Sequence, residues 1–170
     1  GRVIIHLLEK TSGEIYFNGK EISCVNGDGL KELRGKMQMI FQDPYSSLDP
    51  KMTVSDIIGE PLKIFEKNIS RNDYEKYIKE AMDTVGLEKR TKYSYPHELD
   101  GGRRQRIGIA RALILGPEFI VCDEPVSALD VSIQAQVLNL MQDLQKEHGF
   151  AYMFITHNLS VVKHISNDIA

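Results

Sequence analysis

The stretch FIVCDEPVSALD, residues 119–130, decides the fold of this chain. Its apolar half predicts a short strand buried on both faces, and this strand ends in two acids, Asp123 and Glu124. Apolar side chains then recur at helical spacing from Ile133 to Leu144, which predicts an amphipathic helix. A buried strand followed by a helix of this length is typical of α/β proteins with a parallel sheet.

Two other apolar segments also end in polar residues. MQMIFQ ends in Gln42, and AYMFITH ends in His157. A last helix is predicted to begin near Leu159. Because ligands of parallel α/β sheets gather at the carboxyl ends of the strands, we expect these polar residues to meet the acids of the first strand at one edge.

The remaining sequence predicts a hairpin, an inserted helical region and two further helices. Asn18-Gly19, within GEIYFNGKEIS, favours the tight turn of an antiparallel hairpin. Residues 54–87 carry helical patterns, and the first of these helices is expected to break at Pro61. The opening residues, GRVIIHLLEK, have the pattern of a helix that is entered midway. A helix after Asp100 is expected to run to about Leu115.

Composition and charge restrict the class of protein. The chain has 170 residues, 42% hydrophobic and 26% charged, which is ordinary for a globular domain with a buried core. Its net charge of -3 provides no basic footprint, so a nucleic-acid partner is not expected. Cys24 and Cys122 form no disulfide framework, which favours a reducing compartment. The apolar runs are too short to span a bilayer, and the histidines lack the spacing of a zinc site.

The polar residues at the strand ends predict phosphate chemistry. Asp123 can hold Mg²⁺ whose other ligands are phosphate oxygens, and Glu124 can orient and deprotonate a water molecule aimed at a terminal phosphate. Gln42 and His157 could position that water and contact the phosphate. Taken singly, each residue also has a simpler interpretation, as a solvated strand end, a polar loop residue or a structural histidine. Their predicted convergence at one edge favours the catalytic interpretation.

The second candidate site is LDGGRRQRIGIARAL, residues 99–113. Asp100 is a good N-cap for the helix that follows. The N-terminus of such a helix attracts anions through its dipole and its free N–H groups. The segment therefore combines a candidate anion site with a carboxylate at the same place.

The phosphate-binding loop G-x-x-x-x-G-K-[ST] does not occur in these residues. The nearest candidates, Gly19-Lys20 and Gly35-Lys36, lack the hydroxyl residue that should follow the lysine. That loop normally links the first strand to a helix, and this chain opens inside a predicted helix. We therefore expect the first strand and the loop to precede Gly1.

Together these segments resemble the ATPases of the ATP-binding cassette (ABC) transporter family over nearly the whole chain. FQDPYSSLDPKMTV resembles the Q-loop region, LDGGRRQRIGIARAL the signature motif, FIVCDEP the Walker B strand, SALD the D-loop and ITH the H-loop. The first segment, with YPHEL before the signature, is similar to the ATPase subunits of oligopeptide and dipeptide importers. The implied fold is an α/β, P-loop NTPase-like parallel sheet with flanking helices, an antiparallel hairpin and an inserted helical subdomain, with the N-terminal strand and Walker A loop missing.

The resemblance implies a subunit that hydrolyses ATP, with Mg²⁺, to energise peptide uptake. Its catalytic residues would be Glu124 as the general base, His157 as the sensor of the terminal phosphate, and Gln42. Asp123 and Gln42 would be linked to Mg²⁺. The residues implied to contact nucleotide are Gln42, Leu99, Asp100, Gly101, Gly102, Arg103, Asp123, Ser127 and Asp130.

The resemblance also implies a division of the chain and a set of partners. Residues 1–44 and 98–170 would form part of a RecA-like core, and residues 45–97 a helical subdomain that docks on transmembrane permease subunits at the cytoplasmic face of the membrane. Two ATPase subunits, identical or different, would face head to tail, so that the signature motif of one closes over ATP bound to the other. A solute-binding protein outside the membrane would be an indirect partner.

The signature motif departs from the family pattern Leu-Ser-Gly-Gly-Gln at two positions, Asp100 and Arg103. Aspartate caps a helix as well as serine does, but its carboxylate repels a phosphate at the helix N-terminus. A second hypothesis is therefore a catalytically impaired or truncated cassette that acts as a non-hydrolytic assembly partner. A third is a DNA-repair or translation ATPase, which is expected to show long coiled-coil heptads or a second cassette, and these residues show neither.

Overall fold

A computed structural model describes residues 1–43 and 45–169. Its strands are β1 (Tyr16–Phe17), β2 (Lys20–Glu21), β3 (Met37–Ile40), β4 (Phe119–Asp123) and β5 (Ala151–Ile155). Its α-helices are α1 (Gly27–Lys36), α2 (Val54–Phe65), α3 (Arg71–Thr84), α4 (Gly101–Leu113), α5 (Val131–His148) and α6 (Leu159–Ile165). Two short 3-10 helices, Lys89–Tyr93 and Pro96–Glu98, lie between α3 and α4.

The strands β3, β4 and β5 form a parallel sheet with β4 in the centre. Ile40 pairs with Cys122 and Asp123 pairs with Ile155, so the three strands end at the same edge. Ile120, Val121 and Cys122 of β4 are fully buried, which is typical of a parallel strand covered on both faces. The predicted parallel sheet is confirmed.

The strands β1 and β2 form the predicted hairpin, in which Phe17 pairs with Lys20. Asn18 and Gly19 both have positive φ, 51° and 75°, as the tight turn of a two-residue hairpin requires. Nδ2 of Asn18 donates a hydrogen bond of 2.6 Å to Oε2 of Glu118. The hairpin turn is therefore tied to the residue that precedes β4.

Residues 1–10 form turns rather than the predicted helix. The N–H of Leu7 bonds to Arg2 O at 2.9 Å and that of His6 to Val3 O at 3.1 Å, so the regular four-residue spacing of an α-helix is not established. His6 has a φ of 56°, which a right-handed helix does not allow. Ile5 nevertheless packs in a buried cluster with side chains of β3. The helix prediction is wrong because so short a segment, without a cap, does not sustain a helix.

The helix α2 continues through Pro61, so the predicted break is wrong. A proline inside a helix removes one backbone hydrogen bond and costs about 3 kcal/mol. Ile57, Ile58 and Leu62 of the same helix are at most 4% exposed. Burying each of them contributes about 1.5–3 kcal/mol, so packing outweighs the cost of the proline.

The other predicted helices are confirmed with small shifts of their ends. The helix α4 ends at Leu113, just before the expected Leu115. The helix α1 has no counterpart in the sequence prediction, because it buries only Leu33 and its apolar pattern is correspondingly weak.

The helix α4 occupies the middle of the main core. It packs against α2, α3, β3 and α5. Its side chains Ile107 and Ile109 are fully buried in this core. Among the helices of the described ranges, none is both long and apolar enough to cross a bilayer.

Candidate functional site

Three predicted site residues form one hydrogen-bonded group at the carboxyl edge of the sheet. Nε2 of Gln42 donates to Oε2 of Glu124 at 2.9 Å. Nδ1 of His157 lies 2.9 Å from the other carboxylate oxygen, Oε1. Both oxygens of one carboxylate are therefore engaged by residues that follow the two outer strands. We call these three residues the edge triad.

The backbone of Glu124 is held in an unusual conformation. Its φ is 47°, in the left-handed region that residues other than glycine adopt at a cost of about 1–2 kcal/mol. Its N–H donates to Ile155 O at 2.8 Å, and its carbonyl oxygen accepts a bond of 3.2 Å from the N–H of Ser127. These bonds keep the strained residue in place and aim its side chain across the edge of the sheet.

The hydrogen bond from His157 lowers the pKa of Glu124 below its ordinary value. Glu124 is therefore a carboxylate at neutral pH. Its side chain is 23% exposed, so water can reach it. A fixed carboxylate within reach of water can orient a water molecule and accept its proton.

Asp123 ends β4 beside the edge triad but makes a separate contact. Nη2 of Arg2 lies 3.5 Å from Oδ2 of Asp123. An exposed ion pair of this kind contributes about 0–1 kcal/mol, so Asp123 can exchange the guanidinium for another cation. Within the described ranges, no three or more His, Cys, Asp or Glu side chains form a cluster able to hold a metal ion alone. One carboxylate does fit Mg²⁺ whose other ligands are phosphate oxygens.

The second candidate cluster lies at the N-terminus of α4. Asp100 is the N-cap, and its Oδ1 accepts a hydrogen bond of 2.8 Å from the N–H of Arg103, which confirms the predicted cap. Nη1 of Arg103 lies 3.1 Å from Oδ2 of Asp100, and its Nη2 lies 3.3 Å from Oε1 of Glu88. The carboxylate therefore occupies a first-turn N–H group, and the guanidinium is shared between two acids. Leu99, just before the cap, is buried.

The two glycines allow α4 to approach α5 closely. A Cβ on Gly102 would lie 2.7 Å from Cγ2 of Ile133, and one on Gly101 would lie 3.1 Å from Cδ2 of Leu129. The shorter distance is below any normal contact, so a side chain at Gly102 would push the helices apart. The first turn of α4 is thus packed against the start of α5 and the loop before it.

Ser127 and Asp130 lie in the loop that links β4 to α5, and both are exposed. Oγ of Ser127 donates to Glu124 O at 3.1 Å. Asp130 is the N-cap residue of α5, but its side chain makes no capping hydrogen bond. The loop therefore places Ser127 beside the edge triad and presents the carboxylate of Asp130 at the surface.

The predicted site residues form two groups rather than one. Within the part of the chain that the structure describes, no hydrogen bond or ion pair joins the edge triad or Asp123 to residues 99–103. Arg2 and Glu88 are contacts that the sequence reasoning missed. The positive charge of Arg103 was the sequence feature that could have indicated an acidic partner such as Glu88. No sequence feature indicated that Arg2 contacts Asp123.

Residues 2–127 match the family model described as ABC transporter. The chain belongs to the ABC transporter family. The matched part of this ABC transporter chain includes β3, β4 and the whole of α4. It therefore contains the group at the start of α4 and two members of the edge triad, Gln42 and Glu124, but not His157.

Curated relatives of this ABC transporter chain include two proteins named oligopeptide transport ATP-binding protein OppF. The one from Bacillus subtilis (strain 168) is 56% identical over 170 residues, which cover 99% of this chain and 56% of that protein. The one from Salmonella typhimurium is 52% identical over 168 residues, which cover 99% of this chain and 50% of that protein. The chain thus spans about half the length of the curated relatives it matches.

Solved structures of similar fold include ABC cassettes. The ATP-binding cassette MJ0796, a dimer in a post-hydrolysis state bound to ADP and Pi, has a TM-score of 0.82 and 30% identity, over 96% of this chain and 70% of that one. The protein cbiO1 from Clostridium perfringens, part of the transporter complex cbiONQ, has a TM-score of 0.82 and 25% identity, over 95% and 62%. The predicted α/β cassette fold is confirmed.

Proposed function

We propose that this chain is the nucleotide-binding, ATP-hydrolysing part of an ABC importer that energises the uptake of oligopeptides. The observation that carries the proposal is the edge triad, in which one carboxylate is held by both Gln42 and His157. The names of the two OppF relatives support the solute class. The bound ADP and Pi in the similar cassette support the reaction.

In this proposal Glu124 is the general base. Its carboxylate exchanges one of its two hydrogen bonds for the attacking water and accepts the water's proton at the freed oxygen. The partner whose hydrogen bond is retained, Gln42 or His157, keeps the other oxygen and the plane of the carboxylate in position, and His157 can also contact the terminal phosphate. Fixing the base in advance lowers the barrier because little reorientation is needed during the reaction.

Asp123 and Gln42 would hold Mg²⁺ together with phosphate oxygens of ATP. When bound, Mg²⁺ neutralises charge on the transferred phosphate. Asp123 must then release Arg2, which the weak ion pair allows. These 170 residues contain no G-x-x-x-x-G-K-[ST] run.

The residues at the start of α4 and in the loop before α5 would face a nucleotide bound to another ATPase subunit. The residues assigned to this role are Leu99, Asp100, Gly101, Gly102, Arg103, Ser127 and Asp130. The similar cassette MJ0796 forms a dimer, which supports such a partner. The exposed loop with Ser127 and Asp130 lies beside the first turn of α4, so one surface could serve both elements.

Permease subunits are the proposed partners at the cytoplasmic face of the membrane, with a solute-binding protein acting through them. We assign residues 1–44 and 98–170 to the core and residues 45–97 to the helical subdomain that docks. A groove of about 490 Å³ between α1, β3 and α2 supports this assignment, since its apolar lining includes Phe41, Ile64 and Phe65. An apolar groove of this kind can accept an element of a partner protein.

The proposal is tested by Glu124→Gln in the full-length protein. We expect ATP hydrolysis to fall by about 100-fold or more while Mg-ATP binding persists, because only the base is lost. Glu147→Gln is the matched control, since Glu147 is an exposed acid near the end of α5, before β5 begins, whereas the edge triad lies at the carboxyl ends of the strands. Hydrolysis that survives Glu124→Gln would contradict the proposal. The names of the relatives give no support to the non-hydrolytic alternative.

A further inference from the structure

The arginines of α4 all contact the segment from residue 45 to residue 97. Arg103 bonds to Glu88 at 3.3 Å, Arg104 to Pro96 O at 2.7 Å, Arg106 to Val85 O at 2.5 Å and Arg111 to Ser47 O at 2.8 Å. The guanidinium of Arg104 also lies over the ring of Tyr45, 4.8 Å from its centroid. The arginines therefore fasten α4 to the inserted segment.

Two of these contacts reach the loop that directly follows Gln42. Arg104 covers one face of the Tyr45 ring, and Nη1 of Arg111 donates to Ser47 O. Tyr45 is 60% exposed, so this ring has few other neighbours to hold it. We call the stacked Tyr45 and Arg104 the loop clamp.

The loop is also bonded internally through Asp43. The N–H of Tyr45 donates to Oδ1 of Asp43 at 2.8 Å, and the N–H of Ser47 donates to Asp43 O at 3.2 Å. Asp43 is the residue after Gln42. A displacement of Tyr45 is therefore passed along a short, bonded segment to the side chain that contacts Glu124.

We propose that Tyr45 and Arg104 are positioning residues, whose stacking anchors the loop on α4 so that Gln42 keeps its contact with Glu124. The clamp thereby links α4, the helix capped by Asp100, to the edge triad, and an element bound to the exposed face of Tyr45 would act on both. This inference rests on the proposed function for its catalytic consequence, but the anchoring itself does not depend on nucleotide.

The test compares Tyr45→Ala with Tyr45→Phe in the full-length protein. Phenylalanine keeps the ring over Arg104, whereas alanine removes it. An exposed cation–π pair of this kind predicts that amide hydrogen exchange of residues 42–50 rises about two- to five-fold in Tyr45→Ala, with kcat for ATP falling by a similar factor and KM unchanged. Tyr45→Phe should match the wild type in both measurements. The melting temperature should stay unchanged in both variants because Tyr45 is exposed.

A second variant, Arg104→Ala, completes a double-mutant cycle. We expect it to reproduce the faster exchange of residues 42–50, and the double variant to exchange no faster than either single variant. The clamp would be overturned by additive effects on exchange in the double variant or by unchanged exchange of residues 42–50 in Tyr45→Ala. Equal changes of exchange and kcat in Tyr45→Phe and Tyr45→Ala would also overturn it. Faster loop exchange with unchanged kcat would overturn its positioning role. If the wild type hydrolysed no ATP, the proposed function would fail, and the exchange data would still decide the clamp.

Discussion

Gln42 and Glu124 lie 82 residues apart in the chain, yet Nε2 of the first donates a hydrogen bond of 2.9 Å to Oε2 of the second. The contact exists because β3 and β4 are parallel neighbours that end at the same edge. It joins a loop with exposed residues to the proposed general base. The position of the Glu124 carboxylate therefore depends on the contacts that hold that loop in place.

Gln42→Leu should reduce ATP hydrolysis. A hydrogen bond to a charged group contributes about 1.5–3 kcal/mol, so we expect kcat to fall by about ten- to one hundred-fold in the full-length protein. Gln38→Leu is the matched control, because Gln38 lies on β3, the strand before Gln42, but donates to Arg34 O. Steady-state ATPase assays on both variants make the measurement, and equal losses would argue against a specific role for Gln42.

Asp100→Ser should increase ATP hydrolysis at subsaturating ATP. The carboxylate occupies an N–H group of α4 and repels a phosphate, and two like charges about 4 Å apart cost about 1 kcal/mol in water and about 4 kcal/mol at an effective dielectric near 20. Arg103 offsets part of this repulsion, so we expect a rise of about two- to five-fold.

Asp100→Asn serves as the companion variant, because it removes the charge and keeps the shape and the cap. Both variants should have faster hydrolysis and a nearly unchanged melting temperature. An unchanged rate in both would show that the carboxylate does not hinder the nucleotide. A gain in Asp100→Ser alone would assign the effect to side-chain size rather than charge.

Asp56→Asn should destabilise the fold at neutral pH and have little effect in acid. The hydrogen bond from Thr53, together with that from Lys63, lowers the pKa of Asp56. A depressed pKa in the folded state means that the stabilisation is complete above the ordinary pKa of about 3.9 and disappears as the pH falls through the folded value. We expect a loss of about 0.5–1 kcal/mol at pH 7, since Asp56 is partly exposed.

Urea unfolding between pH 7 and pH 2 measures this difference for Asp56→Asn. Asp143→Asn is the control, because Asp143 is an exposed acid of α5 that makes no ion pair within the described residues. A destabilisation of Asp56→Asn that remained constant down to pH 2 would contradict the assigned pKa shift.

Two glycine substitutions in helices should change stability in opposite directions. A Cβ on Gly59 would lie 2.0 Å from the hydroxyl of Tyr74 and 2.7 Å from Cδ1 of Ile78, so Gly59→Ala should cost about 1–3 kcal/mol. A Cβ on Gly108 meets no described atom within 4 Å, so Gly108→Ala should stabilise α4 by about 0.5–1 kcal/mol. Denaturant unfolding of both variants measures the effects, and the same sign for both would contradict the packing described.

The sequence by itself determined the order of the elements and the kinds of side chain at the strand ends. The hairpin at Asn18-Gly19, the buried strand before Asp123 and the cap at Asp100 follow from turn chemistry, periodicity and capping, which act over a few residues. The same local rules failed at Pro61, because the burial of neighbouring side chains outweighs a local cost.

Only the tertiary structure decided which of these residues meet. Glu124 contacts both Gln42 and His157 because three parallel strands end in register, and Arg103 contacts Glu88 because α4 packs against the inserted helices. Such contacts depend on the alignment of distant segments, which no short stretch of sequence encodes. The helix α4 illustrates the difference, since its N-terminus suggested an anion site, whereas the contacts of its arginines fasten the helix to its neighbours.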